Sequence, residues 1–184
     1  MKIEEREAVL AKLPYPKQVA FAARLGDRAL AEARSVRPEL IGKYPALDKG
    51  VELVWRHAIK QDVDWKREAK PVHELTSKLI PETEDDLVPD QALRFAGQTI
   101  SLGLLMIRWP DKSESFVSSA GEAMISLVGC VYDTDVVEEK EERWQDRAVN
   151  LLKRAKTVTR SMFNELDEYD RGLVSESYLR GEDE

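Results

Sequence analysis

Eight prolines divide the 184-residue chain, and between them the apolar residues return at helical rather than strand spacing. Proline lacks an amide donor and clashes inside a helix, so it belongs at helix starts and ends. Pro14-Tyr15-Pro16 closes a short amphipathic opening (Ile3 to Leu13). Pro16 is suited to the first turn of a helix from Lys17 to about Ser35, whose apolar positions include Val19, Ala22, Ala23 and Leu30, with Phe21, Leu25 and Ala29 alongside. Pro38 and Pro45 bracket a loop containing Gly42. Beyond it Leu47, Val51, Val54, Trp55, Ala58 and Ile59 step by four, three, one, three and one, a helix stripe.

Pro71 opens a shorter helix carrying Val72, Leu75 and Leu79, which Pro81 closes. Pro81 to Pro89 reads as an acidic loop. From Asp90 to Trp109 the pattern is helical again and becomes apolar on all sides at Ile100 to Ile107, so this helix must be surrounded. Gly97, Ser101 and Gly103 let neighbours approach it closely, and Pro110 stops it. Asp111 or Ser113 is placed to cap the next helix, with Phe116, Ala120, Ala123, Leu127 and Val131 on one stripe. A last helix is expected from about Asp135 to Asp170, because Trp144, Ala148, Leu151, Ala155, Val158, Met162, Leu166 and Tyr169 keep stepping by four or three. At 1.5 Å per residue such a helix would run roughly 50 Å. No strand alternation, repeat or linker interrupts this. The expectation is an all-α, single-domain bundle of about six to seven helices around the buried Ala92–Ile107 helix, spanning 1–180, with 181–184 a frayed acidic tail.

Charge narrows the function classes. Lys and Arg number 28 against 35 Asp and Glu, a net charge of −7, which argues against a nucleic-acid binder with its basic footprint. The longest apolar run, Leu102 to Ile107 with Gly103 inside it, is far short of the roughly 20 residues of a membrane span. The charged opening Met-Lys-Ile-Glu-Glu-Arg-Glu lacks the apolar core of a secretory signal. A single cysteine, Cys130, excludes an internal disulfide and fits a reducing compartment. A cytoplasmic protein that contacts neither membrane nor nucleic acid is expected.

Catalytic and cofactor patterns fail in turn, so no cofactor and no enzymatic activity are expected. His73-Glu74 begins a zincin-like pattern, but Ser77 stands where the second histidine ligand is needed. Di-iron bundles place Glu three residues before His, and Val54 and Lys70 stand there instead. His57, His73 and Cys130 have no local zinc spacing. Ser101, in Thr99-Ile-Ser-Leu-Gly103, lacks the first glycine of a nucleophile elbow and reads as a small packing residue. Cys130 follows Leu127-Val-Gly129 with no histidine nearby and reads as a structural thiol. Gly42-Lys43-Tyr44 lacks the upstream glycine and the following Ser or Thr of a phosphate loop. Asp133-Thr-Asp135 resembles the start of a calcium loop, but Val137 and Glu138 occupy the positions that need an oxygen ligand and a glycine. Capping of the last helix accounts for those two aspartates.

Two acidic clusters remain. Glu82, Glu84, Asp85, Asp86 and Asp90 precede the central helix, with no basic residue in their own segment. Glu138, Glu139, Glu141 and Glu142 fall in the first turns of the last one, where acid suits the helix dipole and Lys140 and Arg143 lie nearby. A solvated loop and a dipole effect explain much of both. For the Glu82–Asp90 cluster a basic protein partner fits better than a metal ion, because hard cations want ligands on a fixed scaffold and this is a loop of adjacent like charges. Lacking basic neighbours, it is the preferred partner surface, with the Glu138–Glu142 acids the remaining candidate.

Several segments together resemble a known family: Gln18-Val-Ala-Phe-Ala-Ala-Arg-Leu-Gly-Asp-Arg28, Leu53-Val-Trp55, Ile80-Pro-Glu-Thr-Glu-Asp-Asp86, Ser118-Ser-Ala-Gly-Glu-Ala-Met124 and Glu142-Arg-Trp-Gln-Asp-Arg-Ala-Val-Asn-Leu-Leu152. In order and spacing they are similar to the YjaG-like family of all-helical bacterial proteins, over about Leu13 to Leu166. The chain departs from that family at Ala29 to Glu32, where Ala-Leu-Ala-Glu replaces a proline. The resemblance implies an all-helical fold and brings no catalytic residues. Similar helical domains also occur among immunity proteins of polymorphic toxin systems. Combined with the acidic charge, this leads to an expected role as an immunity protein that blocks a cognate toxin, such as a basic nuclease, by direct binding. The alternatives are a small carboxylate- or metal-dependent helical enzyme or regulator, and a toxin-independent homo-oligomeric protein.

Overall fold

A computed structural model of the chain describes residues 1–36, 42–78, 88–132 and 135–166, the side chains of 88–90 excepted. Seven α-helices follow one another among these residues: α1 (Ile3–Ala11), α2 (Tyr15–Val36), α3 (Pro45–Lys60), α4 (Lys70–Ser77), α5 (Val88–Arg108), α6 (Ser113–Tyr132) and α7 (Asp135–Arg154). A π-helical turn, Trp65–Ala69, leads into α4, and 3-10 turns at Pro110–Lys112 and Arg160–Phe163 precede α6 and follow α7. No strand occurs among the described residues. The fold is all-α and forms a single domain.

Pro16, Pro45 and Pro89 fall in the first turns of α2, α3 and α5, whereas Pro71, expected to open its helix, follows a π turn that runs directly into α4. Pro38 and Pro81 lie outside the described residues. Pro45 opens α3, and α3 ends at Gln61, which adopts the left-handed conformation at φ 54°. The Asp64 carboxylate caps the π turn by accepting from the Arg67 amide at 2.7 Å. Gln18 ties α1 to α2: its amide nitrogen donates to the carbonyls of Leu10 (3.1 Å), Ala11 (3.3 Å) and Leu13 (3.0 Å). These carbonyls lie in and just beyond the last turn of α1, where that of Leu10 also accepts from the Leu13 amide at 3.0 Å. The Ser113 hydroxyl donates to Gln18 Oε1 at 2.5 Å, so this side chain joins two helices where capping of α6 was expected.

α5 is central, packed against α2, α3, α4 and α6. Ile100, Leu104 and Met106 are fully buried, whereas Leu102 and Leu105 are half-exposed, so the helix has one partly open side. Close approach rests on glycine at two points. A Cβ at Gly103 would stand 3.2 Å from the Val54 methyls, and one at Gly50 only 2.6 Å from Ile100. The segment Pro110–Tyr132 reaches a mean hydropathy of 1.3 over an 18-residue window, enough by length and composition for a membrane span. Counting unbroken apolar runs overlooks it because Ser and Gly are interspersed. In this fold α6 packs on α2, α5 and α7, and core helices of soluble domains reach similar hydropathy.

The last helix departs from expectation. α7 ends at Arg154 after 20 residues, roughly 30 Å rather than 50 Å. The chain then passes through extended backbone at Thr159 (φ −138°, ψ 151°) into the 3-10 turn. Phe163 nevertheless returns to the interior, fully buried between Trp55 (6.1 Å between ring centres) and Trp144 (6.3 Å). Hydrophobic spacing continues across the break because both sides face the same core. Residues 167–184, including the expected end of the helix at Asp170 and the tail at 181–184, lie outside the described residues.

Candidate interaction surface

The two acidic clusters meet different outcomes. Glu82, Glu84, Asp85 and Asp86 lie outside the described residues, and Asp90 is described only as backbone in the first turn of α5. The second cluster divides along α7. Glu139 is exposed and receives Arg143 at 2.9 Å, one helical turn on. Glu142 is half-exposed. Glu138 leans over α6, its carboxylate filling the space that a Cβ at Gly129 would need.

Glu141 corrects the expectation. It is 2% exposed and faces the core, where its carboxylate accepts from Arg28 at 2.6 Å and from Gln145 Nε2 at 3.1 Å. Gln145 in turn donates to the Gly121 carbonyl at 3.1 Å, joining α7 to α6. The Arg28 guanidinium lies over Trp144, 4.1 Å from its ring centre. Glu141 is thus the counterion of an internal Arg–Trp stack, out of a partner's reach. The sequence carries the signal: Glu141 precedes Trp144 by three residues and Gln145 by four, on the phase of the buried stripe.

The outward acids acquire neighbours that sequence reasoning did not assign. α1 lies beside α7, held by buried Arg6, whose guanidinium donates to the Glu142 carbonyl and to Asp146 Oδ1, both at 3.3 Å. That contact sets exposed Glu4 and Glu5 on the helix adjoining Glu139 and Glu142. Glu7 accepts from the Ser118 hydroxyl, so α1 is also fixed to α6.

A similar clamp holds Asp27, which accepts from Trp55 Nε1 at 2.7 Å, Arg160 at 2.6 Å and Arg24 at 3.2 Å. The polar members of the Gln18–Arg28 segment therefore have structural partners: Gln18 ends α1, Asp27 anchors Trp55, and Arg28 pairs with Glu141.

The other singled-out residues are accounted for by packing. The Tyr15 hydroxyl donates to the Met106 carbonyl at 2.9 Å, which leaves His57 Nε2–H to donate to the Tyr15 oxygen at 3.0 Å. Burial pushes the Tyr15 phenol up to about 12 and lowers the His57 imidazole, so both stay neutral near pH 7. His73 is lowered by burial and by nearby Arg108. Its ring rests 5.6 Å from that of Trp65. Ser101 is buried, 3.4 Å from the Ser77 hydroxyl, where α4 meets α5. The Cys130 thiol is half-buried and raised by burial, which keeps it protonated and a poor nucleophile. Asp133 lies outside the described residues, and Asp135 opens α7. Among the described residues no three of His, Cys, Asp and Glu converge as a metal site.

No protein-family model and no curated protein matches the chain. Among solved structures, a DUF416 family protein from Shewanella baltica OS155 shares the architecture, with a TM-score of 0.68 over 88% of this chain and 91% of that one, at 17% identity. The chain therefore has the same helical fold as that DUF416 family protein.

Proposed function

We propose that this domain is a cytoplasmic interaction protein that acts by binding and blocking a basic protein partner, as the immunity proteins of bacterial toxin systems do, and that it is not an enzyme. The observation that carries the reading is the placement of charge. The chain bears a net −7, and exposed Glu4, Glu5 and Glu139 with half-exposed Glu142 lie on two helices that Arg6 holds side by side. Carboxylates on adjoining helices speed encounter with a basic partner and discriminate against acidic ones. Membership of the YjaG-like family belongs to the same reading and is supported by the likeness to the DUF416 fold.

The test is to express the product of the adjacent reading frame with and without this protein and to score cell survival and co-purification. The expected result is protection by the parent chain and slower, salt-sensitive association after the double reversal Glu139→Lys, Glu142→Lys. A neighbouring product that is harmless alone and does not co-purify would overturn the toxin-neutralising reading. Full protection with unchanged association after the reversal would remove the α1–α7 face from the interface.

A further inference from the structure

Three arginines lie over tryptophan rings among the described residues, and the chain itself completes two of these stacks with a carboxylate. Arg28 over Trp144 receives Glu141 at 2.6 Å. Arg160, 5.8 Å from the Trp55 ring centre, receives Asp27 at 2.6 Å and Glu52 at 3.1 Å. Arg108 is the third. Its guanidinium carbon lies 3.9 Å from the Trp109 ring centre and 5.5 Å from that of Trp65, and no carboxylate stands within ion-pair distance among the described residues.

The stack extends on both sides. Trp65 rests against His73, Trp109 stacks on Phe116 with ring centres 6.2 Å apart, and Lys112 Nζ is 5.8 Å from the Trp109 ring. Five flat groups thus form a ladder, drawn from the π turn, α4, the end of α5, the residue that links it to the 3-10 turn, and α6. Arg108 and Lys112 are exposed, and the four rings are half-buried. Trp109 stands outside the hydrophobic core, which Trp65 and Phe116 touch at its edge.

A cation in the last turn of α5 suits the helix dipole. That accounts for one positive charge. It does not account for two half-exposed tryptophans with a second cation beside them that has no ion pair among the described residues, in a chain of net charge −7. The Arg108 guanidinium sits over an indole yet is exposed, so N–H groups of its rigid fork remain accessible to a further partner. That fork matches a carboxylate in two parallel hydrogen bonds. Trp and Arg are also the residues most enriched where binding energy concentrates. The two completed stacks show which group this protein sets on such a fork.

The geometry points to a second docking site, independent of the α1–α7 face. The Trp65–Arg108–Trp109–Lys112 ladder takes an acidic segment of a partner protein, one Asp or Glu carboxylate seated on Arg108 and an adjoining apolar side chain laid on the indoles. An acidic protein segment is favoured over a single-stranded nucleic acid. Two cations on a chain of net charge −7 make a poor track for a phosphate backbone, whereas one carboxylate needs only one fork.

The test uses the full chain and three fluorescein-labelled probes: a short peptide of alternating Glu and Leu, its Gln–Leu counterpart, and an oligothymidylate of matching length, read by anisotropy at low and high salt. The Glu–Leu peptide should bind about tenfold or more tighter than the Gln–Leu peptide, a difference of about 1.4 kcal/mol. Arg108→Gln and Trp109→Ala should each remove about tenfold, with unchanged helical circular dichroism, and Glu139→Gln on the other face should have no effect. Arg108→Lys should fall between parent and Arg108→Gln, because it keeps the charge and loses the fork. Equal binding of the two peptides, variants that bind like the parent, or tighter binding of the oligothymidylate would each overturn the proposal.

Discussion

Two Arg–Trp stacks at nearly the same spacing sit in opposite settings. Arg28 lies 4.1 Å from the Trp144 ring centre and Arg108 lies 3.9 Å from that of Trp109. Trp144 is fully buried, stacked between Phe21 and Phe163, and its arginine carries a buried glutamate. Trp109 is half-exposed outside the core. The inner stack is a solved electrostatic problem, because the Glu141 carboxylate helps offset the partial removal of Arg28 from water. The outer stack leaves its cation to solvent, so it contributes little to folding and keeps its hydrogen-bonding edge available. The same pair of residue types therefore serves stability in one place and recognition in the other, and the presence of an internal carboxylate decides which.

The largest expected contrast is in packing. Trp144→Ala should destabilise the protein by about 3–5 kcal/mol, through lost burial and a residual cavity among Phe21, Phe163 and Arg28. Urea unfolding measures it, with an unchanged slope expected if the denatured state stays the same. A loss below about 1 kcal/mol would show that the inner stack is not core, and the comparison would fail. Leu104→Ala on the fully buried face of α5 belongs in the same range and checks the central placement of that helix independently.

Next comes the carboxylate. Glu141→Gln should cost about 3 kcal/mol, since it removes the charge of a buried carboxylate that pairs with Arg28 at 2.6 Å. The double replacement Arg28→Met, Glu141→Leu should recover much of that loss, because an apolar pair removes both desolvation costs. If Glu141→Gln is neutral, the inner and outer stacks are electrostatically alike and the distinction between them collapses.

These contrasts also define what the sequence exposes. Helix existence is legible, since proline placement and the apolar steps of three and four mark α2, α3, α5 and α6 to within about three residues. The break after Arg154 is not, because hydrophobic spacing records which residues reach the core and says nothing of the backbone between them. The β-branched residues Thr157, Val158 and Thr159 are the local cue, since they favour extended backbone over helix. In the acidic α7 cluster, residue type is legible but direction is hidden unless the phase of each acid against the buried stripe is followed, which assigns Glu141 inward. The outer ladder is only half visible. Arg108, Trp109, Lys112 and Phe116 lie close in sequence, but Trp65 and His73 arrive from a π turn and the start of α4, contacts that only tertiary packing creates.

A smaller effect tests the core edge through pH. Burial lowers the imidazole of His57, and burial with Arg108 lowers that of His73. The unfolded chain therefore takes up these protons near the ordinary value of 6.5, while the folded chain resists until lower pH. In that window the unfolded state binds more protons, so stability falls as pH drops below about 6.5, by at most about 1.4 kcal/mol per pH unit per histidine. Melting temperatures measured between pH 7.5 and 5 should show this slope, and His57→Gln should flatten it. A parent protein that gains stability over the same range would contradict the buried, neutral placement of His57.

The smallest expected effect lies at the outer stack. Arg108→Gln should change stability by only about 0.5–1 kcal/mol, the worth of an exposed cation–π contact, because no buried ion pair is broken and no cavity opens. Part of even that loss reflects the cation leaving the last turn of α5, where it interacts favourably with the helix dipole. Lys at this position should therefore retain most of the stability, which separates the charge from the planar stack. The measurement is the same urea titration applied to Trp144→Ala, so the two stacks are compared on one scale. A loss of 3 kcal/mol or more from Arg108→Gln would mean that the outer stack is a folding element like the inner one. The exposed guanidinium edge would then have a structural reason to exist, and the case for a partner carboxylate on it would weaken accordingly.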